Sequence, residues 1–262
     1  MNKLQIPRVS NRRVLNHLAT LDVEIGSLSS SLRDRQNLYF KGSRHPAVLT
    51  PLGLADGPAK WLRDMYSAQR KRDDLDWIRD LREDHELDCC PMCGGTGVTE
   101  LDHVLPKGPY PEFAVFALNL VPTCGNCNRR RSNKGRTHHF VHPYFDHALL
   151  DSLLLRVTFR PPYATVRFWL EPVGLTGVDH QRVERQIFHT LPPLVFRRQM
   201  RRFWSDWHKR FQRFGRASAV ARLADELTIP APSSKNSWDV AFIRGLSTST
   251  PAQDWMAVTP LP

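Results

Sequence analysis

The sequence predicts an α+β protein in which a small strand–strand–helix segment is flanked by helical regions and a β-hairpin. Three observations support this fold class. Two C-x-x-C pairs enclose short apolar runs, "LLLRVTFRPPYATVRFWLEP" alternates apolar and polar residues around a Pro-Pro turn, and residues 196–214 repeat aromatic side chains at helical spacing. A period of two residues is typical of strands, and a period of 3.6 residues is typical of helices.

Composition and charge limit the kind of protein. The chain has 262 residues, of which 41% are hydrophobic and 24% charged, as in ordinary globular proteins. No apolar run approaches the roughly 18–20 residues that a bilayer span needs, and the first residues lack the apolar core of a secretory signal. We therefore expect a cytoplasmic protein without a membrane partner. The net charge of +11 favours a polyanionic partner.

We expect three consecutive regions: a largely helical region at 1–85, the cysteine-containing region at 86–146, and a hairpin with helices at 147–262. In the first region, "RRVLNHLATLDVEIGSL" is compatible with a short amphipathic helix. The following "RQNLYFKGSRHPAVLTPLG" resembles extended and turn segments, because it is interrupted by Gly and Pro. From Asp56 to Asp84 the apolar spacing predicts one or two helices.

In the third region, the alternation on both sides of Pro161 and Pro162 predicts a β-hairpin. Residues 178–228 are predicted to be helical, with Gly215 as a C-terminal stop. One apolar stripe predicts a buried helix face, and its members are Phe196, Met200, Phe203, Trp204, Trp207, Phe211 and Phe214. The tail from Pro230 is rich in Pro and Ser.

Four of the five cysteines form two C-x-x-C pairs, Cys90/Cys93 and Cys124/Cys127. Each pair supplies two thiolates from one tight turn, and four thiolates complete the tetrahedral shell of a structural Zn²⁺. Such a closed site has no open coordination position, so we expect this zinc to be structural. The remaining Cys89 is expected to be structural or without a role.

The segment between the cysteine pairs carries the residues with chemistry. "TELDHVLPK" predicts a short strand that ends at Asp102 and His103, and "NLVPTC" predicts a second strand that starts at Asn119. "GNCNRRRSNK" then begins a helix, with Asn128 directly after the last cysteine.

At these residues the sequence resembles the HNH endonuclease family, whose ββα-metal motif sits on two zinc knuckles in many members. The family pattern has an Asp-His pair on the first strand, an Asn five residues before the second C-x-x-C, and a His or Asn after the last cysteine, with a basic residue one turn later. The matching residues are Asp102, His103, Asn119, Asn128 and Arg131. This is an H-N-N variant, as in phage junction-resolving endonucleases of the same superfamily. The resemblance spans about residues 88–136.

The resemblance implies metal-dependent hydrolysis of a DNA phosphodiester bond. His103 is the expected general base, since an ordinary histidine pKa of about 6.5 suits proton transfer at neutral pH. Asp102 and Asn128 are the expected ligands of a catalytic Mg²⁺ or Mn²⁺. By family analogy, Asn119 holds the loop after His103. Phosphate contacts are expected from the helix, through Arg129, Arg130, Arg131 and Lys134.

Two other interpretations stay open. A non-catalytic zinc-knuckle module that binds nucleic acid explains the cysteines and the charge, but leaves the placement of the Asp-His pair and the two asparagines to chance. Alternatively, residues 147–262 are a partner-docking or autoinhibitory region, and the nuclease acts inside a multi-component assembly. In architecture the chain resembles effectors of bacterial anti-phage defence. No separate base-recognition element is visible, so we expect cleavage with little sequence specificity and a strong salt dependence.

Overall fold

The computed structural model describes residues 1–42, 49–69, 73–83, 85–131, 139–228 and 235–260. The helices of these ranges are α1 (Asn11–Leu21), α2 (Val23–Lys41), α3 (Asp56–Ala68), α4 (Trp77–Glu83), α5 (Gly125–Arg131), α6 (His147–Leu150), α7 (Gly177–Thr190), α8 (Pro193–Thr228), α9 (Trp238–Ser247) and α10 (Thr250–Val258). The strands are β1 (Val98–His103), β2 (Leu120–Cys124), β3 (Leu155–Arg160) and β4 (Arg167–Pro172). Within these ranges no helix combines the length and apolar character that a membrane crossing requires.

The strands form two antiparallel pairs, β1 with β2 and β3 with β4, so the predicted mixed α+β class is confirmed. The chain divides into two compact units. The motif unit comprises Lys3–Leu87 and Gly97–His147, and the C-terminal unit comprises Met1–Asn2, Asp88–Thr96 and Ala148–Pro262. The boundaries of these two units differ from those of the three consecutive regions expected from the sequence. The roles expected of those three regions stay predictions.

The core of the motif unit lies where its N-terminal helices pack on the strand pair. Apolar residues of α1–α4 form one buried cluster with Leu101 of β1 and Leu120 of β2. A second cluster gathers Tyr39 of α2 with the aromatic residues of the β1–β2 connection. Burial of these side chains stabilises the unit, because each large apolar side chain removed from water contributes roughly 1.5–3 kcal/mol. The helical region therefore supplies the core that the short strands lack.

Side-chain caps fix the beginnings of the first two helices. Ser10 Oγ accepts a hydrogen bond from the Arg13 amide, and Asp22 Oδ1 accepts from the amides of Glu24 and Ile25 at 2.9 and 3.0 Å. Such caps satisfy amides that have no partner within the helix. The expectation of extended chain after the first helix was wrong over residues 35–41, because α2 continues to Lys41. Residues 43–48 lie outside the described ranges.

In the C-terminal unit the predicted β-hairpin is confirmed, with Val157 opposite Leu170 in the β3–β4 register. The predicted helices are confirmed as α7 and α8. Gly215, expected to end a helix, has φ +75° and interrupts α8, which resumes and continues to Thr228. Five members of the predicted apolar stripe are buried, whereas Phe203 is half-buried and Phe214 is 37% exposed because it lies next to this kink.

Candidate active site

The four predicted zinc ligands lie together. The Sγ atoms of Cys90, Cys93, Cys124 and Cys127 all lie within 4.8 Å of one another, and all four residues are buried. A tetrahedral zinc site with Zn–S bonds of about 2.3 Å places its sulfur atoms about 3.8 Å apart, so this set fits a metal ion after small side-chain adjustments. Cys89 is buried but is not part of this group. The cysteine cluster is therefore a candidate structural zinc site.

Local backbone geometry shapes the first cysteine turn. The Gly94 amide donates to the Cys90 carbonyl oxygen at 2.8 Å, and the Gly95 amide donates to Cys93 Sγ at 3.3 Å. Gly94 has φ +82°, and a Cβ there would collide with backbone atoms of Asn236. Glycine is thus required at this position for both backbone conformation and space. Amide donors to sulfur stabilise the thiolate form that a metal needs.

The strand pair places the Asp-His pair at its end. In the β1–β2 register, Asp102 lies opposite Val121 and His103 opposite Leu120. The predicted strand ending at His103 is therefore present, while β2 begins at Leu120, one residue after the expected Asn119. Side chains alternate along a strand, so Asp102 and His103 point to opposite faces, and Glu100 shares the face of Asp102.

His103 is held in a defined tautomer. Its Nε2 lies 3.0 Å from the Ala114 carbonyl oxygen. Because a carbonyl oxygen only accepts, Nε2 carries the proton and Nδ1 keeps its lone pair. The side chain is buried, and burial lowers the pKa of His103 to about 3. The ordinary pKa assumed from sequence does not hold in this environment: the imidazole is neutral at neutral pH, which is the form that accepts a proton.

Asn119 ties down the loop that follows His103. Its Oδ1 accepts from the Leu105 amide at 2.7 Å, and its Nδ2 donates to the carbonyl oxygens of Leu105 and Phe113 at 2.9 and 3.1 Å. The Asn119 carbonyl oxygen also accepts from the Val104 amide at 2.8 Å. The residue is fully buried. These bonds fix both ends of the loop, and with it the Ala114 carbonyl that orients His103.

We predict that Asn119→Ala lowers the free energy of unfolding by about 2–4 kcal/mol, because it leaves the buried amide and carbonyl of Leu105 without a partner. Urea unfolding of the zinc-loaded protein measures this loss. The control is Asn37→Ala on the exposed side of α2, which we expect to change stability by about 0.5 kcal/mol or less. Equal unfolding midpoints for the two variants would contradict the structural role of Asn119.

A second layer of buried polar groups supports Asn119. The Tyr39 hydroxyl lies 3.2 Å from Asn119 Oδ1 and 3.1 Å from His142 Nε2. His142 Nδ1 accepts from the Tyr144 amide at 3.3 Å, so its Nε2 donates to Tyr39, and Tyr39 donates to Asn119. Burial raises the pKa of Tyr39 well above its usual value, which keeps the hydroxyl protonated as a donor. This chain of bonds makes the Asn119 amide orientation unique.

Asp102 forms a buried ion pair with Arg131. Arg131 Nε donates to Asp102 Oδ2 at 2.5 Å, its Nη1 donates to the Val104 carbonyl oxygen at 3.0 Å, and its Nη2 donates to the His103 carbonyl oxygen. Arg131 is fully buried. The planar guanidinium therefore fixes the end of β1 and orients the Asp102 carboxylate. A phosphate contact by Arg131, expected from the sequence, does not fit this burial.

Asn128 lies beside a carboxylate that the sequence analysis did not select. Its Nδ2 donates to Glu100 Oε2 at 2.7 Å, which leaves its amide oxygen available to face another group. Gly125, in the second cysteine turn, makes room for this arrangement, because a Cβ there would collide with the Glu100 carboxylate. Glu100 and Asp102 are two residues apart on β1, so the sequence itself indicates that the two carboxylates share one face of the strand.

The remaining predicted phosphate contacts lie on α5. Arg129 is exposed, with Nη2 3.3 Å from Asn126 Oδ1 and Nη1 3.9 Å from Glu100 Oε1. Arg130 is half-buried. Lys134 lies outside the described residues. The phosphate contacts expected of Arg129 and Arg130 stay a prediction, whereas Arg131 pairs with Asp102 inside the protein. Tyr39 was missed because it lies 80 residues before Asn119, and no local pattern links them.

Comparison with known proteins gives limited information. No family model matches the chain, and no solved structure matches it. A stretch of 62 residues is 44% identical to Protein ea31 of Escherichia phage lambda, which covers 22% of the chain and 21% of the phage protein. The chain therefore spans about a fifth of the length of this relative. The name of the phage protein states no activity, so function is argued from the site.

Proposed function

We propose that the protein is a metal-dependent endonuclease of the HNH type that hydrolyses DNA phosphodiester bonds. One observation carries the proposal: a neutral histidine at the end of β1 is held through Nε2, with its Nδ1 lone pair left to accept a proton. The described residues make no hydrogen bond to this Nδ1. A histidine that only fills the core does not require the loop after it to be fixed. Here three hydrogen bonds of the Asn119 side chain fix that loop.

His103 acts as the general base in this proposal. A water molecule beside Nδ1 gives one proton to the imidazole as its oxygen attacks the phosphorus. The bond between the phosphorus and the leaving 3′-oxygen breaks, and this oxygen takes a proton from solvent water. The Ala114 carbonyl, which accepts from Nε2, stabilises the imidazolium that forms. Burial keeps the imidazole neutral at neutral pH, so its Nδ1 lone pair is available to take the proton.

Asp102 and Asn128 are the proposed ligands of the catalytic cation. A carboxylate has about four acceptor sites, so Asp102 accommodates the Arg131 bond and a cation together. Within the described ranges, no second group of three or more His, Cys, Asp or Glu residues is placed to hold a metal. One carboxylate and one amide oxygen suit Mg²⁺ or Mn²⁺, which keep several water ligands. When bound, the cation supplies neutralisation of the charge that develops on the phosphate.

Duplex DNA is the proposed substrate, with little sequence specificity. The net charge of +11 favours a polyanion. Arg129, exposed on α5, and the half-buried Arg130 extend this charge to the face near Asn128. Contacts of this kind go to the phosphate backbone and carry no direct sequence information. Affinity is then expected to fall steeply with salt, because each neutralised phosphate releases counterions.

The test is conversion of supercoiled plasmid by the purified zinc-loaded chain, with Mg²⁺, with Mn²⁺ and with neither cation added. We expect open-circle or linear DNA with either divalent cation and none without them. A folded, zinc-loaded protein that binds DNA but leaves the plasmid intact with both cations would replace the nuclease by the non-catalytic binding module.

A further inference from the structure

A cationic surface beside His103 is formed by residues of α3 and of the β1–β2 connection. The Tyr66 ring of α3 packs edge-on against the His103 ring, with centroids 4.4 Å apart. Lys107 Nζ lies 4.2 Å from the centroid of the same tyrosine ring. Tyr66 therefore places an ammonium group one ring away from the proposed base. The position of the Lys107 ammonium group depends on tertiary packing, so the spacing of residues 88–136 in the sequence does not predict it.

The cations at this surface lie close together. Burial lowers the pKa of Lys107, and the neighbouring Arg63 guanidinium lowers it further. No carboxylate in the described parts of the chain pairs with Lys107 or with the Arg63 side chain. Both residues are half-exposed and accessible. Two neighbouring cations that share no ion pair with a carboxylate repel each other, and a bound anionic ligand reduces that repulsion.

We propose that Arg63, Tyr66 and Lys107 form a phosphate-binding surface for DNA beside His103. Lys107 and Arg63 contact consecutive phosphates of the cleaved strand next to the scissile bond. Tyr66 is a positioning residue, because its ring holds the Lys107 ammonium group by a cation–π contact and packs on His103. The placement of these contacts next to a scissile bond rests on the proposed nuclease function. The contacts themselves do not depend on that function, because they would contribute to DNA binding even in a protein that does not cleave.

A polyanion with regularly spaced phosphates fits this surface better than an isolated anion. Arg63 and Lys107 come from separate segments, and neither is buried deeply enough to enclose a small ion. A backbone of phosphates reaches several such half-exposed cations at once, and each contact releases a counterion.

The test measures binding of a short fluorescent DNA duplex at a series of salt concentrations, without a chelator and without added Mg²⁺ or Mn²⁺, so that the structural zinc stays bound and cleavage plays no part. The variants are Lys107→Gln and Arg63→Gln, with Lys107→Arg to restore the charge. The matched control is Lys41→Gln, which removes the same charge from the exposed last turn of α2. We expect the slope of log affinity against log salt to become shallower by about 1 in Lys107→Gln and in Arg63→Gln, and to be unchanged in Lys107→Arg and in Lys41→Gln.

Each outcome decides the inference. A smaller slope in Lys107→Gln and Arg63→Gln than in Lys41→Gln supports the phosphate contacts, even if the wild-type protein fails to cut plasmid. Identical slopes in Lys107→Gln and Lys41→Gln overturn them, even if the wild-type protein is an active nuclease. A dependence on Lys107 that appears with an RNA duplex and not with DNA also overturns the assignment to DNA. Zinc content and thermal unfolding confirm that every variant is folded.

Discussion

Replacing His103 with Ala is expected to abolish metal-dependent plasmid cleavage, with a rate loss of at least about 10²–10⁴-fold, the usual contribution of a general base. The variant removes the Nδ1 lone pair that accepts the proton from water. It does not touch the cysteine cluster or the exposed cations. Zinc content, measured by metal analysis, and DNA affinity without added Mg²⁺ or Mn²⁺ are therefore expected to match the wild-type protein. The cleavage rate is measured with purified protein on supercoiled DNA.

The matched control is His147→Ala. His147 Nε2 lies 2.9 Å from the Leu4 carbonyl oxygen, so this histidine makes the same kind of ring-to-carbonyl bond as His103. It has no place in the proposed chemistry, and its variant is expected to retain cleavage. If His103→Ala unfolds, His103→Gln keeps a polar group near the Ala114 carbonyl and lacks a comparable base. Cleavage that survives in a folded His103 variant would remove His103 as the base.

The sequence predicted those parts of the fold whose determinants are local. The β3–β4 hairpin was predicted because apolar and polar residues alternate on both sides of its turn. The helices α3, α4, α7 and α8 were predicted from apolar spacing. The end of α2 was not, because "RQNLYFK" contains aromatic and polar residues that suit either extended chain or helix. Tyr39 and Leu32 favour the helix only because they reach buried clusters in the motif unit, which is a tertiary effect.

Part of the candidate site was also predicted from local sequence spacing. The cysteine pairs, the Asp-His pair and Asn119 were identified from spacing, and the structure brings the cysteines together and places Asn119 under the loop after His103. Arg131 shows the limit of this approach. Its sequence context, three arginines in a row, is typical of an exposed basic face. Helical geometry turns Arg131 toward Asp102, where it is fully buried, while Arg129 is 69% exposed.

The second large effect is expected at the cysteine cluster. Cys124→Ser is expected to abolish stoichiometric zinc binding and to unfold the protein at ordinary temperature, because one of four buried thiolate ligands is lost. Structural zinc contributes roughly 10–16 kcal/mol of apparent binding energy in zinc-finger peptides, and this exceeds the net stability of most domains. Cys124 also ends β2 and lies opposite Val98, so its loss disturbs the strand pair that carries His103. Metal analysis and circular dichroism during thermal unfolding measure both effects.

Cys89→Ser is the matched control, since it changes an adjacent buried cysteine that lies outside the group within metal-binding distance. It is expected to retain one zinc per chain and to lose only the small stability that a buried sulfur contributes. A chelator added to the wild-type protein is expected to reproduce the Cys124→Ser result, because removal of the ion and of a ligand have the same consequence. If Cys124→Ser retained zinc and melted with the Cys89→Ser control, the cysteines would not form a metal site. Stability of the β1–β2 pair would then rest on its packing within the motif unit, where Leu101 and Leu120 join the buried cluster of the N-terminal helices.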